Sequence, residues 1–237
     1  MYQQRPKLRL WTTSYQLENP PEAEVRRLRA GEAHVVWAHL LSRKSPGAAL
    51  SQLDRAAQVD PDWDDIFYWR ARLLPWLHQP RADELAAASL REFRSRRPDD
   101  VRGWHLLLTA ELQRVVPADH LGLEETAPAG IEELESIAKG VVDHAQRPSD
   151  LNLAAWYYAM ARQADTGLPL AIQSVQGDPG CAGCWDTLAL LYFQKGDVAR
   201  ALLAQERAAN MYGDAVIGRS VRLRLQRYRA AASVDAH

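Results

Sequence analysis

Two cysteines three positions apart, Cys181 and Cys184, have the residue type and spacing that could do chemistry most directly. A CxxC pair at the start of a helix can hold a reactive thiolate, because the partial positive charge of the helix N-terminus stabilises it. Redox enzymes with this motif place it after a strand of an α/β fold, and no strand pattern flanks it in this sequence. A zinc site would need two further ligands, and no second CxxC or HxxxH accompanies the pair. A structural disulfide or two partly buried thiols is therefore our main interpretation, and a redox enzyme is the minor alternative.

The other residues that could do chemistry lack the spacing of an active site. The seven histidines show no metal-binding pattern. Acidic groups such as Asp64, Asp65 and Glu132 fall in turns or at predicted helix starts, where they favour the helix dipole. The sequence contains no P-loop, no GxGxxG and no GxSxG motif. We therefore expect no catalytic residue, no metal and no cofactor, and hence a protein that is not an enzyme.

Composition points to an ordinary globular protein. Of the 237 residues, 47% are hydrophobic and 25% are charged, and the formal net charge is -1. Near neutrality argues against nucleic acid as a partner. No run of 18 apolar residues occurs, so no membrane span is expected, and the N-terminal residues lack the apolar stretch of a signal peptide. We expect a cytoplasmic protein; the alternative is a periplasmic or other extracytoplasmic protein whose leader has been removed.

The elements that would position these residues are helices in a repeating pattern. The clearest segment has apolar or small residues at offsets of 0, 3, 4 and 7, namely Trp185, Leu188, Ala189 and Tyr192. This spacing places them on one face of a helix. Gly196 then breaks the helix. A second helix follows with Ala201 and Ala208 on one face, where small residues let two antiparallel helices approach closely.

Residues 182–213 resemble the tetratricopeptide repeat (TPR), whose first helix carries a Trp, a Leu, a small residue and a Tyr, and whose second helix carries two Ala. Gly213 stands where the family usually has Pro, and Ala189 where it usually has Gly. The same pattern recurs 34 residues earlier, at Leu151, Ala154, Ala155 and Tyr158. Near the start of the chain it is carried by Ala33, Val36, Trp37 and Leu40. Trp37, Trp104 and Trp185 fall on the packing face and are expected in the core.

The resemblance implies an all-α, right-handed superhelical TPR solenoid of about five helix-turn-helix repeats with a C-terminal capping helix. Residues 1–30 are predicted to form an N-terminal arm and lead-in helix, and residues 214–237 the capping helix and tail. The repeats are predicted near 31–63, 64–100, 101–147, 148–181 and 182–213. The third repeat contains an inserted loop at 115–130, which we expect to be the least ordered internal segment. The capping helix carries an apolar stripe at Ile217, Val221, Leu225 and Tyr228; a basic amphipathic helix for an acidic partner or membrane surface is the alternative.

The resemblance also implies a function, because TPR arrays bind other proteins. We expect a scaffold or adaptor that holds a partner peptide or helix in a concave groove. By the family's geometry the groove is lined by His34, Tyr68, Arg72, Trp76, His105, Asn152, Trp156, Met160, Asp186 and Phe193. The trio Asn152, Trp156 and Met160 is the predicted centre. The family's clamp for a terminal carboxylate is mostly missing, since the matching positions hold His34, Ala38 and Asn152. The alternative function is the soluble TPR domain of a larger extracytoplasmic assembly factor or membrane-enzyme complex.

Overall fold

The computed structural model describes residues 22–42, 44–61, 63–77, 80–212 and 218–234, with side chains described from residue 31 onward. All regular structure in these ranges is helical, so the predicted all-α class is confirmed. The eleven α-helices of the described ranges are α1 Glu22–Leu41, α2 Pro46–Val59, α3 Asp64–Leu73, α4 Ala82–Arg96, α5 Val101–Val115, α6 Glu135–Asp143, α7 Pro148–Met160, α8 Ala164–Gly177, α9 Ala182–Gln194, α10 Val198–Tyr212 and α11 Arg219–Val234. Two 3-10 turns, Leu74–Leu77 and Ile131–Leu134, precede α4 and α6.

The helices pack as consecutive hairpins: α1 with α2, α3 with α4, α5 with α6, α7 with α8, and α9 with α10. The final helix, α11, packs against α10. The chain divides into two compact units, Met1–Pro98 and Asp99–His237. The first unit therefore holds α1 to α4, and the second holds α5 to α11. No helix within the described ranges is long and apolar enough to cross a bilayer.

The first unit has a small core in which α1 uses a different face from the predicted one. Val35 and Ala38 are buried against α2 and α3. The predicted packing residues Val36, Trp37 and Leu40 are exposed instead, Trp37 by 58% and Leu40 by 69%, so the prediction of a core Trp37 is wrong.

Two features of α1 explain this rotation of its packing face. A single continuous helix runs from residue 22, with no break before the first predicted repeat at residue 31. Gly31 faces Trp63 so closely that a Cβ there would lie 3.3 Å from the indole ring. The small residues Gly31 and Ala38 thus set the face that approaches the neighbouring helices, and the bulky Trp37 lies away from it.

The core of the second unit follows the predicted small-residue pattern. Ala154, Ala155 and Tyr158 of α7 are buried, as predicted. Helix α8 crosses α7 closely at Gly167, since a Cβ at this position would lie 2.9 Å from the Tyr158 Cβ. The close helix crossing therefore depends on small side chains at the predicted positions.

The inserted segment between α5 and the second 3-10 turn is anchored, contrary to the expectation of low order. Its Gly122 has φ +73, and a Cβ there would lie 2.5 Å from the Met160 Cε. The Gly122 carbonyl accepts hydrogen bonds from Arg162 Nη1 (3.1 Å) and Gln194 Nε2 (3.0 Å). The Leu121 carbonyl accepts one from Arg224 Nη1 at 3.1 Å. The Pro and Gly content suggested a free loop, but the main chain of the segment is bound by side chains far away in the sequence.

The terminal helix α11 has a buried apolar stripe. Val221 is 5% exposed and Tyr228 is fully buried. The Tyr228 ring stacks on Phe193 with ring centroids 4.6 Å apart. The apolar face of α11 is thus used within the unit, as a capping helix requires. The predicted stripe residue Ile217 lies outside the described residues.

Candidate functional site

An open pocket of about 620 Å³ lies in the second unit, lined mainly by the first helices of successive hairpins and by α11. Four of the predicted groove residues line it: His105 from α5, Asn152 and Trp156 from α7, and Asp186 from α9. Because Ala155 is buried in the core, the next residue, Trp156, is turned about 100° away from that face. The pocket therefore contains a partly buried indole beside polar groups from neighbouring helices.

One wall of the pocket is a buried ion pair. Arg224 of α11, 2% exposed, donates from Nη2 to Asp186 Oδ2 at 2.5 Å and from Nε to Asp186 Oδ1 at 3.2 Å. Gln205 of α10, fully buried, donates from Nε2 to the same Oδ1 at 2.7 Å. The Arg224 guanidinium carbon also lies 5.6 Å from the centre of the Trp156 ring. Asp186 is thus fixed by two helices, and both of its oxygens are occupied.

Arg224 is a site residue that the sequence pattern did not predict. Arg224 lies three residues after Val221 and four before Tyr228, so helical spacing places it on their buried face. The sequence does contain a signal for this residue, since Arg224 is a single charged residue on an apolar stripe. A buried arginine requires an acidic partner, so this position indicates a buried ion pair.

A second charged cluster lies behind His105. Asp150 is fully buried, and its Oδ1 lies 2.9 Å from His105 Nδ1. Arg147 Nη2 donates to Asp150 at 2.9 Å, and the backbone nitrogens of Gln146 and Arg147 donate at 3.3 and 3.0 Å. Burial alone would raise the pKa of Asp150, but the hydrogen bonds from His105, Arg147 and Gln146 outweigh it and hold the pKa well below its usual range. Asp150 is therefore ionised and fixes both the start of α7 and the His105 ring.

The amide and hydroxyl side chains that line the pocket are neutral. The Asn152 Oδ1 is buried and has no hydrogen-bond partner among the described residues. Thr187 donates to the Gly183 carbonyl at 3.0 Å. Burial raises the pKa of the Tyr212 hydroxyl, and nearby Asp186 adds to this while Arg224 opposes it, so Tyr212 stays protonated. Neutral amide and hydroxyl side chains therefore line the pocket beside the Trp156 ring.

Two predicted groove residues of the second unit do not line the pocket. Met160 is fully buried beneath Gly122 and belongs to the core, so its predicted place at the centre of the groove is wrong. Phe193 packs beneath Tyr228 of α11. In both cases a segment distant in sequence covers a surface that a regular repeat would leave open.

The four predicted groove residues of the first unit lie outside this pocket. Tyr68 is largely buried, lies 5.5 Å from Phe93 and accepts a hydrogen bond from Arg72 Nη1 at 3.1 Å. Trp76 lies on the 3-10 turn Leu74–Leu77 and is 69% exposed. His34 Nδ1 lies 2.8 Å from the side-chain oxygen of Gln52. Tyr68 is thus a packing residue, and Trp76 is on a turn and not on the predicted helix.

The two cysteines form a disulfide at the start of α9. Cys181 is the residue that caps the helix, and its sulfur accepts a hydrogen bond from the Cys184 nitrogen at 3.1 Å. Cys184 is only 1% exposed. The sequence left open a structural disulfide or two partly buried thiols, and the structure has the disulfide. In the described part of the chain, no group of three His, Cys, Asp or Glu side chains could hold a metal ion.

Comparison with known proteins supports the fold. No family model matches the sequence, and no curated protein matches it. Among solved structures, PilW, a widely conserved type IV pilus biogenesis factor, is similar over 86% of both chains, with a TM-score of 0.67 and 14% identity. TTC0263, a thermophilic TPR protein of Thermus thermophilus, matches 88% of this chain and 98% of its own, with a TM-score of 0.56 and 22% identity. Yeast Tom70 has a TM-score of 0.60 and 10% identity over 93% of this chain and 45% of its own. The chain therefore has the TPR fold, as residues 148–213 predicted.

Proposed function

We propose that this protein is a non-enzymatic interaction scaffold that holds a segment of another protein in the pocket of the second unit. The observation that carries the proposal is the convergence of His105, Asn152, Trp156 and Asp186 from three successive first helices on one open pocket. Its volume of about 620 Å³ lies in the range of small binding sites. Trp is enriched among the residues that dominate binding energy, and the partly buried Trp156 lines this pocket beside polar groups.

The state of the acidic groups supports binding over catalysis. A general acid or base needs a carboxyl group that is free to exchange a proton with a substrate. Both oxygens of Asp186 accept hydrogen bonds from Arg224 or Gln205. Asp150 is fully buried and accepts bonds from its own helix start and from Arg147. Each carboxylate therefore serves to position its neighbours.

Substituting Trp156 by Ala should weaken partner binding about 30-fold, or roughly 2 kcal/mol, as expected for a residue at the centre of an interface. The partner is first captured from an extract of the source organism, and its affinity for each variant is then measured by titration. Trp76→Ala is the matched control, because Trp76 is an exposed tryptophan of the other unit; its affinity should stay within about twofold of the unchanged protein. Thermal melting is recorded beside each titration. If Trp156→Ala costs about 3–5 kcal/mol of stability while the folded fraction binds normally, Trp156 is a core residue and the proposal fails.

A second candidate function is the soluble domain of an extracytoplasmic assembly factor or membrane-enzyme complex. The disulfide between Cys181 and Cys184 favours it, because disulfides persist mainly in oxidising compartments. PilW, which is described as a pilus biogenesis factor, has the same fold. A shared fold alone does not show that two proteins act in the same pathway.

The redox state of the cysteine pair in intact cells tests this second candidate. We expect iodoacetamide, added to cells before lysis, to leave Cys181 and Cys184 unlabelled, since a disulfide does not react with it. Mass spectrometry of the tryptic peptides reads the labelling, and reduction before alkylation gives the fully labelled control. Complete labelling without prior reduction would place the pair in a reducing compartment and contradict the second candidate, while leaving the scaffold proposal intact.

A further inference from the structure

The disulfide between Cys181 and Cys184 closes a small ring that includes part of the pocket lining. Three residues of α9 line the pocket, and we call them the α9 wall: Gly183, Asp186 and Thr187. Gly183 lies inside the disulfide ring, between the two cysteines. Its carbonyl accepts a hydrogen bond from Thr187 Oγ1 at 3.0 Å, which joins the ring to the next turn of the helix. A change in the ring is therefore a change in the α9 wall.

The two sulfur atoms of the ring differ in their access to solvent. Cys184 is 1% exposed and belongs to the apolar core, whereas Cys181 is only partly buried. The Cys181 sulfur caps the start of α9 and accepts a hydrogen bond from the Cys184 nitrogen at 3.1 Å. The helix dipole stabilises a thiolate at such a position. Cys181 is thus the sulfur that an incoming thiolate can reach, and its own thiolate is stabilised once the disulfide is broken.

We propose that Cys181 is a thiol–disulfide exchange site through which a dithiol changes the α9 wall of the pocket. One thiolate of the dithiol attacks Cys181 Sγ and forms a mixed disulfide, while Cys184 Sγ leaves with the bonding electrons. The second thiolate of the dithiol then attacks the mixed disulfide and releases Cys181. The dithiol is oxidised to a disulfide, the cysteine pair gains two electrons, and the two protons of the dithiol pass to the cysteines or to water. This inference rests on the proposed function, because it describes regulation of the same pocket.

The packing around the ring indicates which side moves on reduction. Two thiols need more room than one disulfide, because their sulfurs are no longer bonded, and protein interiors are close-packed. Cys184 is enclosed by the core, so the partly buried Cys181 is the residue that can shift. Gly183 moves with it, and a Cβ on Gly183 would lie only 3.5 Å from the Tyr212 hydroxyl on the pocket. Because a short ring constrains the unfolded chain less than a long one does, we expect a local loosening of the α9 wall.

Hydrogen exchange read by mass spectrometry tests the switch without any partner. The full chain is compared before and after treatment with dithiothreitol, and both samples are reduced after the acid quench so that the same peptides are measured. Amides of residues 183–187 should exchange at least about tenfold faster in the reduced protein, whereas those of residues 152–158 on α7 should change less than about twofold. The sequence contains only two cysteines, so any effect of dithiothreitol on the protein acts through this pair.

The double variant Cys181→Ser with Cys184→Ser is the matched control. It should show the fast exchange of the reduced protein at residues 183–187, and dithiothreitol should change nothing further because it has no target. If this variant does not fold, the reduced and oxidised forms of the unchanged chain still decide the question. In the reduced chain, iodoacetamide should label Cys181 at least about tenfold faster than the buried Cys184.

Control of binding is measured with the protein captured in the Trp156→Ala experiment. Its affinity for the double serine variant should be at least about tenfold lower than for the oxidised chain, because a wall that is no longer held in place must be ordered when the partner binds. The oxidised chain treated with oxidised dithiothreitol serves as the reference, since its disulfide stays closed.

The outcomes separate this inference from the proposed function. Equal exchange of residues 183–187 in the two redox states would overturn the switch and leave the scaffold proposal standing. Faster exchange throughout α5 to α11 would also overturn it, because the disulfide would then be a general stabiliser of the unit. Equal labelling of the two cysteines would overturn the assignment of Cys181, and an unchanged affinity of the captured protein would overturn control of binding. A captured protein that does not respond to Trp156→Ala counts against the scaffold proposal alone.

Discussion

Asp186→Ala is expected to lower the free energy of unfolding of the second unit by about 3–5 kcal/mol, because it leaves the buried guanidinium of Arg224 without its partner. Arg224 is 2% exposed and donates to this carboxylate from two of its nitrogens. The loss corresponds to a fall in melting temperature of roughly 10–17 °C for a unit of this size. Differential scanning calorimetry and urea unfolding measure it.

The matched control is Glu206→Ala. Glu206 of α10 pairs with Arg229 of the same terminal helix, α11, but the two side chains are 40% and 59% exposed. An exposed pair contributes at most about 1 kcal/mol, so this variant should melt close to the unchanged protein. The double variant Asp186→Leu with Arg224→Met should be more stable than Asp186→Ala, because no unpaired charge remains. If Asp186→Ala and Glu206→Ala melt alike, the ion pair does not stabilise the unit.

Asp150→Asn is expected to cost roughly 3 kcal/mol near neutral pH, because a fully buried carboxylate that accepts several hydrogen bonds is replaced by a neutral amide. The cost should depend on pH. The folded-state pKa of Asp150 is lowered, so its contribution is fully present above the ordinary carboxyl value near pH 4 and is lost as pH falls below it. Urea unfolding from pH 7 to pH 2 should therefore show a wide gap between the two proteins at pH 7 that narrows below about pH 4.

Asp165→Asn is the control for this pH series. Asp165 is 88% exposed and pairs with Lys195 at the surface, so its substitution should change stability by less than about 1 kcal/mol. A gap for Asp150→Asn that stays constant down to pH 2 would show that the loss comes from packing, and that the ionised carboxylate is not what stabilises the start of α7.

The repeats at 148–213 were predictable because their small and aromatic residues recur at helical spacing. Ala154, Ala155 and Ala189 are buried where the pattern placed them. The same reasoning placed Trp156 on a different face from Ala155, because it depends only on the angle between neighbouring residues of one helix. Trp156 lines the pocket and also packs against the core. Local periodicity is thus enough to assign faces wherever both neighbouring hairpins are regular.

The errors occur where contacts join distant residues. In α1, two sets of apolar residues share similar spacing, and only the close approach of Gly31 to Trp63 selects the face with Val35. Met160 was placed in the groove because nothing in its own helix indicates that Gly122 covers it. Arg224 was missed because its partner, Asp186, lies 38 residues away. Periodicity describes one helix at a time, whereas these contacts depend on how helices are brought together.

The hydrogen bond from Arg224 to the Leu121 carbonyl spans 103 residues. In an open repeat array each hairpin touches only its neighbours, so the ends can fray while the middle stays folded. Here the last helix of the unit is tied to the segment that follows its first helix, and the same arginine is paired with Asp186 between them. Contacts of Arg224 thus connect the end of the second unit to the segment that follows its first helix. If α11 detached, it would also release the segment at Leu121 and expose the charge of Asp186.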